Sequence, residues 1–352
     1  MMIEDLLRSM HMRKGSDLHV IAGDPPRMRV NGDLITVQNQ PLDPEELQSA
    51  LFAIMSKTSV DQFQAHDSAD FAHTIPDVAR FRVNVFRHLN GIGAVFRGIP
   101  SKALTLEQLN MPPALEQLTR ANRGMILVTG KTGSGKSTTL AAMIDAINDR
   151  LKGHILTIED PIEFVHERKL CLISQREVGL HSPSFSAALH SALREDPDAI
   201  LVGEMRDLET MSIAMTAAEM GVLVMGTLHT NGAAATIDRI VNIFPADKQD
   251  HVRNMLSTSL RGVVSQQLLK KKDGSGRVAA LEILINTPAV ANLIRQGKLE
   301  QLENVLQSSG GVGMCTMDGT LKKLLDAGTI SGQEAYLQAF DKSKFEAVKE
   351  IA

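Results

Sequence analysis

Tryptophan is absent and tyrosine occurs once, so aromatic residues make up only 3% of this 352-residue chain. Proteins that bind single-stranded nucleic acid stack the bases on aromatic side chains. The formal net charge of -4 also lacks the basic excess that nucleic-acid binding favours. Both features therefore disfavour a nucleic-acid partner, although a local basic patch stays compatible with them.

Cysteine and long apolar runs are equally scarce. The two cysteines, Cys171 and Cys315, lie far apart, and neither they nor the 11 histidines show the spacing of a zinc site. No apolar stretch approaches the roughly 20 residues that cross a bilayer, and the first residues do not resemble a secretory signal. We therefore expect a reduced, cytoplasmic protein without a transmembrane segment.

The remaining composition is that of an ordinary soluble protein, with 43% hydrophobic and 22% charged residues. The length favours two domains, and the pattern of apolar and polar residues differs between the first ~100 residues and the rest. Residues 1–98 contain short alternating runs, such as 17–21 and 81–85, with helical patches between them and a hairpin turn predicted at Asn31-Gly32. We interpret this part as an α+β domain, which a linker over 99–113 joins to the next one.

Residues 114–352 alternate between apolar runs and helical patterns, which is typical of a parallel α/β sheet. Strands are predicted at 155–158, 199–202, 222–225, 263–269 and 279–285. From about residue 287 onward the pattern is mostly helical. The predicted fold class is therefore α/β, with a helical C-terminal region.

The segment Gly130–Ser137 matches the phosphate-binding loop pattern G-x-x-x-x-G-K-[ST] at every position. An apolar run at 125–129 precedes it and suits a buried strand, and a helical pattern at 138–147 follows it. Strand, glycine loop and helix form the context in which this motif binds a nucleotide, so we predict an ATP site here. A glycine-rich turn that binds nothing is the alternative.

The residue types explain how the loop would hold phosphate. Its glycines allow backbone conformations that a side chain would block, so that N–H groups and the next helix's N-terminus converge on phosphate oxygens. Lys136 supplies a positive charge for the terminal phosphates, and the Ser137 hydroxyl is placed to hold Mg²⁺. The predicted nucleotide contacts are Gly130, Thr132, Gly133, Ser134, Gly135, Lys136, Ser137 and Thr138.

Polar residues follow three further predicted strands, at the sheet edge where open α/β proteins bind ligands. Glu204 follows one of them, and we predict that it is the catalytic base or the group that positions the attacking water. His229 follows another, where a neutral imidazole is suited to sense the γ-phosphate through a hydrogen bond. A solvated glutamate and a polar loop histidine are the alternatives.

The third strand leads into an acidic cluster of Glu159, Asp160 and Glu163. Glu159 and Asp160 are candidate ligands of Mg²⁺, directly or through water, because this ion prefers oxygen ligands. Glu163 is a further candidate for the catalytic machinery. A capping acid or a surface charge is the alternative role for each of the three.

Two arginines of the first domain are candidates for stabilising the transition state. Arg82 and Arg97 fall on predicted strands, where each taken alone is a solvated charge. If either arginine contacted the nucleotide of a neighbouring subunit, that arginine would act as an arginine finger, which raises the rate by about three to five orders of magnitude.

These segments together resemble the motifs of type II/type IV secretion ATPases. The Walker A motif, aspartate box, atypical Walker B motif and histidine box of that family are matched by Gly130–Ser137, Thr157–Glu163, Ala199–Asp207 and Gly226–Asn231. Lys14–His19 and Arg80–Asn84 also resemble the family's N-terminal domain. The resemblance therefore covers nearly the whole chain.

Within that superfamily the chain is most similar to the pilus retraction ATPases. Extension and secretion members usually carry an additional N-terminal domain and a four-cysteine zinc-binding insertion, which this sequence does not show. A C-terminal retraction motif is matched by Ala289–Arg295, except that Ala291 stands where the family has arginine. We expect ATP hydrolysis to survive this change, which bears instead on the strength of retraction.

The resemblance implies a PAS-like N-terminal domain, a RecA-like ATPase domain and a helical C-terminal region. It implies a homohexamer that binds ATP and Mg²⁺ between the PAS-like and RecA-like domains, with Arg82 and Arg97 reaching the phosphates. The implied partners are an inner-membrane pilus platform protein, on whose cytoplasmic side the motor would dock, and a second retraction ATPase. The implied activity is ATP-driven pilus retraction.

Two other classes of protein stay open on the sequence. An accessory nucleotide-binding subunit that modulates another pilus motor is compatible with Ala291. A secretion or DNA-transfer ATPase is compatible with the nucleotide motifs, although the acidic net charge and the scarcity of aromatic residues disfavour DNA.

Overall fold

The computed structural model describes residues 2–30, 33–76, 78–99 and 103–349. The chain divides into two units, Met1–Lys102 with Glu163–Val165, and Ala103–Ile162 with His166–Ala352. The return of Glu163–Val165 to the first unit is not foreseen from the sequence, because nothing in the local pattern distinguishes this segment from an ordinary loop.

The first unit is an antiparallel sheet with helices. Its helices are α1 (Met2–Met12), α2 (Pro44–Ile54) and α3 (Lys57–His66). Its strands are β1 (Asp17–Ile21), β2 (Arg27–Val30), β3 (Asp33–Thr36), β4 (Ser68–Ile75), β5 (Ala79–His88) and β6 (Gly91–Ile99). The strand order is β3-β2-β1-β6-β5-β4, and each pair of neighbours is antiparallel.

Alternation along the strands gives this sheet two different faces. In β5, Phe81, Val83 and Val85 are buried, whereas Arg82 between them is exposed. The apolar face forms a core with the helices, and the other face carries charged side chains. Helix α1 is not predicted from the sequence, and the predicted turn at Asn31-Gly32 lies outside the described residues.

The second unit alternates strands and helices. Its strands are β7 (Gly124–Thr129), β8 (His154–Glu159), β9 (Leu172–Glu177), β10 (Ala199–Val202), β11 (Leu223–Leu228), β12 (Leu260–Lys270) and β13 (Arg277–Ile285). Its helices are α4 (Pro113–Thr119), α5 (Lys136–Asn148), α6 (Phe185–Ala192), α7 (Leu208–Glu219), α8 (Ala233–Asn242), α9 (Gln249–Ser259), α10 (Pro288–Gln296), α11 (Leu302–Ser308), α12 (Met317–Asp326) and α13 (Gly332–Gln338). Short 3₁₀ turns join some of them.

The sheet of the second unit has the order β13-β12-β7-β11-β10-β8-β9. Its pairs are parallel except β12 with β13. Every residue of β7, β10 and β11 is buried, because helices cover both faces. The carboxyl ends of β7, β11, β10 and β8 are therefore neighbours at one sheet edge, which is where ligands bind in such folds.

The predicted parallel α/β pattern and the helical C-terminal region are confirmed in this unit, with differences in detail. Strand β9 is not predicted, because only the first two residues of Leu172–Glu177 are apolar and the other four are polar. Strand β11 runs to Leu228 rather than Met225, so His229 follows it directly. None of the helices in the described part of the chain is long and apolar enough to span a membrane.

Candidate active site

The phosphate-binding loop joins β7 to α5, and its glycines take conformations that other residues rarely adopt. Gly133 and Gly135 have φ angles of 79° and 89°, in the left-handed region that disfavours side chains. A Cβ atom on Gly135 would also lie 2.7 Å from the Gln266 amide nitrogen. Since Gly135 offers no side chain to cap α5, the first N–H groups of that helix are available to a phosphate.

Lys136 lies inside this loop. Its Nζ donates hydrogen bonds to the backbone oxygens of Gly130, at 2.8 Å, and Lys131, at 3.1 Å. Burial lowers the pKa of Lys136, and the negative charge of Glu204 opposes that shift. Charged phosphate oxygens are stronger acceptors than peptide carbonyls, so a bound nucleotide would draw the ammonium group toward itself.

Gln266 on β12 braces the same loop. Its Nε2 donates to the Ser134 carbonyl at 2.8 Å, and its Oε1 accepts from Thr139 Oγ1 at 2.7 Å. The side chain is buried, so these bonds are shielded from water and their loss leaves polar groups unpaired. Sequence reasoning missed this residue, for which the available indication is a pair of adjacent glutamines that interrupts the apolar residues of β12.

The hydroxyl groups of the loop fit a nucleotide with its metal ion. Ser134 Oγ is buried and has no hydrogen-bond partner within the described residues. Ser137 is exposed in the first turn of α5, and Thr138 is half-buried beside it. Since Mg²⁺ prefers oxygen ligands and usually keeps substrate phosphates among them, the exposed Ser137 hydroxyl is suited to be one ligand of this ion.

Glu204 and His229 are brought together by sheet topology. Strands β10 and β11 are adjacent and parallel, with Val202 opposite Gly226. The residues that follow them therefore meet, and His229 Nε2 lies 2.8 Å from Glu204 Oε1. The Met205 amide donates to the Thr227 carbonyl at 3.1 Å, which ties the two segments to each other through the backbone.

The carboxylate of Glu204 has a second partner in Arg206, whose Nε donates to it. Burial raises the pKa of Glu204, but the hydrogen bond and charge of Arg206 and the contact with His229 outweigh burial and hold the pKa below its usual range. Glu204 is therefore ionised at neutral pH. A cavity of about 320 Å³ opens beside these residues, and Arg239 of α8, which sequence reasoning did not single out, contributes to its wall.

The acidic cluster is divided by the fold. Glu159 ends β8, is buried, and accepts at Oε1 from Thr157 Oγ1 at 2.6 Å and from Gln175 Nε2 at 3.3 Å. Asp160 follows it and is exposed, whereas Glu163 belongs to the first unit. Across the described ranges, no three His, Cys, Asp or Glu residues are grouped as in a protein-only metal site.

Arg82 and Arg97 lie in the first unit as cross-strand partners on β5 and β6. Arg82 is exposed. Arg97 donates from Nε to Asp17 Oδ1 at 2.8 Å. The structure thus places the two predicted arginines side by side on one sheet, and it separately places Glu204, His229 and the phosphate-binding loop at one edge of the other sheet.

Comparison with known proteins gives matches over most of the chain. The family model described as "Type II/IV secretion system protein" matches residues 1–325. The chain is 53% identical to the type IV pilus retraction ATPase PilT of Pseudomonas aeruginosa, an alignment that covers 95% of this chain and 96% of that protein. It is 42% identical to the type IV pilus ATPase PilU of the same organism, with 96% and 89% covered.

A solved structure supports the same similarity. The crystal structure of the pilus retraction motor PilT with bound ADP superposes with a TM-score of 0.92 at 44% identity, covering 98% of this chain and 99% of that one. The similarity therefore includes the α/β architecture of the whole chain.

Proposed function

Since the chain belongs to the type II/IV secretion system protein family and has pilus retraction ATPases among its relatives, we propose that it is the motor that withdraws a type IV pilus. The similarity to retraction ATPases supports the pilus part of this proposal, and the observation that carries the ATPase part is the contact between Glu204 and His229 at the strand edge that also bears the phosphate-binding loop. Glu204 acts on the attacking water, and His229 responds to the nucleotide.

The chemistry of hydrolysis follows from the charges at this edge. The loop N–H groups and Lys136 neutralise the phosphates. Because Glu204 is ionised, its carboxylate accepts a hydrogen bond from the attacking water and aligns it. His229 donates from Nε2 to that carboxylate, and a γ-phosphate within reach of the imidazole would compete for the same proton. In this way the loss of phosphate changes the contact between the two strand ends.

Ser137 is the residue that would hold Mg²⁺ directly, and Glu159 and Asp160 would act through water. The ion, when bound, supplies neutralisation of the charge that develops on the phosphate oxygens. Glu159 already accepts two side-chain hydrogen bonds, which suits an ordering role better than direct ligation. We include Glu163 as a contribution to the catalytic machinery from the first unit.

The working form that we propose is a homohexamer with a PAS-like first unit and a RecA-like second unit. Arg82 and Arg97 of one subunit then act as fingers on the nucleotide of a neighbour. Changes of shape around the ring are passed to an inner-membrane platform protein, against whose cytoplasmic side the motor works. A second retraction ATPase is a further proposed partner.

Glu204→Gln tests the proposal, because it keeps the shape of the side chain and removes its charge. We expect ATP hydrolysis to fall about 10²- to 10⁴-fold, with ATP binding retained in a fluorescent-nucleotide titration. Glu209→Gln, at an exposed glutamate of α7, is the matched control and should hydrolyse normally. In cells that lack this chain, the wild-type gene should restore pilus retraction and Glu204→Gln should not. Normal retraction with the variant would refute the proposal.

A further inference from the structure

The polar face of the first unit carries a row of charges in register. Asp17 of β1 lies opposite Arg29 of β2 and opposite Arg97 of β6, and Arg97 lies opposite Arg82 of β5. Directly opposite residues of antiparallel strands share a face. A single carboxylate therefore stands in a row of three arginines.

Asp17 is buried while the arginine that it binds is exposed. The whole residue is 6% exposed, whereas the Arg97 side chain is 69% exposed. Its Oδ2 accepts from Ser16 Oγ at 2.7 Å, and its Oδ1 accepts from Arg97 Nε at 2.8 Å. Burial raises the pKa of Asp17, but these hydrogen bonds and the charge of Arg97 outweigh it, so the pKa is lowered and the carboxylate stays ionised.

The contact with Asp17 orients the guanidinium group of Arg97 and uses only one of its three nitrogens. The bond engages Nε, and within the described residues the Arg97 side chain makes no other hydrogen bond. The two terminal nitrogens are therefore left to bind an anion in the bidentate manner that suits arginine and phosphate. Arg82 has no side-chain hydrogen bond or ion pair to another described residue, so the two arginines differ in how far they are oriented in advance.

We propose that Asp17 is a positioning residue, which holds Arg97 through Nε so that its terminal nitrogens are presented to the nucleotide phosphates of a neighbouring subunit. This inference rests on the proposed function, in which Arg97 acts on that nucleotide. Orientation in advance removes the cost of ordering a long side chain when the transition state forms. Asp17 then affects turnover through Arg97 and not by touching the substrate.

The chain provides a matched control in the pair of Arg87 and Asp67. Arg87 Nε donates to Asp67 Oδ1 at 2.7 Å, which is the same contact in the same unit. The Asp67 side chain is 67% exposed, and neither residue belongs to the proposed machinery. Asp67→Asn therefore removes an equivalent ion pair and should leave hydrolysis unchanged.

The experiment measures steady-state ATP hydrolysis by the assembled full-length protein for Asp17→Asn, Asp17→Ala, Arg97→Ala and the double variant Asp17→Ala/Arg97→Ala. We expect both Asp17 variants to lower kcat about 10- to 100-fold with little change in KM. Arg97→Ala should lower it further, and the double variant should equal Arg97→Ala, because Asp17 has no effect without its arginine. Thermal unfolding of Asp17→Asn, which keeps the side-chain shape, checks the fold.

Each other outcome overturns the inference in an identifiable way. If Arg97→Ala is impaired while both Asp17 variants are normal, the arginine acts and Asp17 does not position it. If the Asp17 and Arg97 effects multiply in the double variant, Asp17 acts independently of Arg97. If Arg97→Ala hydrolyses normally while Glu204→Gln does not, the ATPase site stands and the finger role of Arg97, with its positioning residue, is wrong.

Discussion

In the second unit Lys136, Glu204 and His229 follow buried parallel strands, whereas in the first unit Arg82 and Arg97 stand on the polar face of an antiparallel sheet. The former are positioned by the backbone, since strand register sets where each loop begins. Arg82 and Arg97 have long exposed side chains, and the backbone does not fix the position of their terminal groups. Precision in the first unit therefore depends on side-chain partners, of which Asp17 is the example.

The largest effect that follows from this contrast concerns Arg82. Arg82→Ala should reduce hydrolysis by about 10³- to 10⁵-fold if it is an arginine finger, although no described residue of its own unit forms a hydrogen bond or ion pair with its side chain. Arg87→Ala, on the same strand, is the control and should be nearly normal.

Mixing subunits distinguishes a finger that acts in trans from one that acts within its own subunit. Arg82→Ala subunits mixed with Lys136→Ala subunits should regain activity at some interfaces, because each variant supplies what the other lacks. Mixed rings that stay inactive would count against sharing of the site between subunits.

A second prediction concerns the acid limit of activity. Arg206 and His229 hold the pKa of Glu204 below its usual range against the effect of burial. Arg206→Ala removes the main group that lowers the pKa of Glu204, so the effect of burial should raise that pKa. The acidic limb of the kcat–pH profile should then move to higher pH. Arg194→Ala, which replaces another exposed arginine of the same unit, is the control. An acidic limb that does not move in Arg206→Ala would show that Glu204 does not set it.

Motifs with a fixed local structure are the part of this site that the sequence predicts well. Gly130–Ser137 and its flanks fold as strand, loop and helix because the glycines and the apolar flanking residues act over short distances. Glu204 and His229 could be assigned to one sheet edge because parallel strands share a direction. Their direct contact could not be predicted, since it requires β10 and β11 to be adjacent, and strand order is a long-range property.

The sequence does not predict contacts between residues that lie far apart along the chain. Gln266 lies more than 100 residues from the loop that it braces, and Asp17 lies 80 residues from Arg97. Neither residue belongs to a spacing pattern that identifies its role. The segment Glu163–Val165 likewise joins the first unit by tertiary contacts that a local pattern does not record.

A third prediction tests how firmly the loop is held in the second unit. Gln266→Ala removes two buried hydrogen bonds and should lower the free energy of unfolding by about 1–3 kcal/mol. The fluorescence of Tyr336, the single tyrosine, reports on this unit. Gln267→Ala is the control, because Gln267 Oε1 has no hydrogen-bond partner in the described ranges. Equal losses in the two variants would argue that Gln266 has no special connection to the loop.

The smallest predicted effect compares one buried carboxylate from each unit. The pKa of Asp17 is lowered from 3.8, so its contribution to stability is present above that pH and is lost as the pH falls through the lowered value. Glu282 accepts from the amides of Ala233 at 2.8 Å and Met317 at 3.3 Å. Burial nevertheless raises its pKa from 4.5. Its contribution is therefore present below that pH and is lost as the pH rises through the raised value.

The two substitutions should consequently have opposite pH dependences. Relative to wild type, Asp17→Asn should be most destabilised near neutral pH and less so in acid. Glu282→Gln should compare more favourably with wild type as the pH rises, because it cannot ionise. Denaturant unfolding followed by circular dichroism between pH 3 and 7 measures both, with Glu300→Gln as the exposed control. Hydrogen bonding to a cation favours the ionised form of a carboxyl group, whereas burial disfavours it. If the unfolding free energies of the two variants, relative to wild type, changed with pH in the same direction, the two buried carboxylates would not differ in the way that their surroundings indicate.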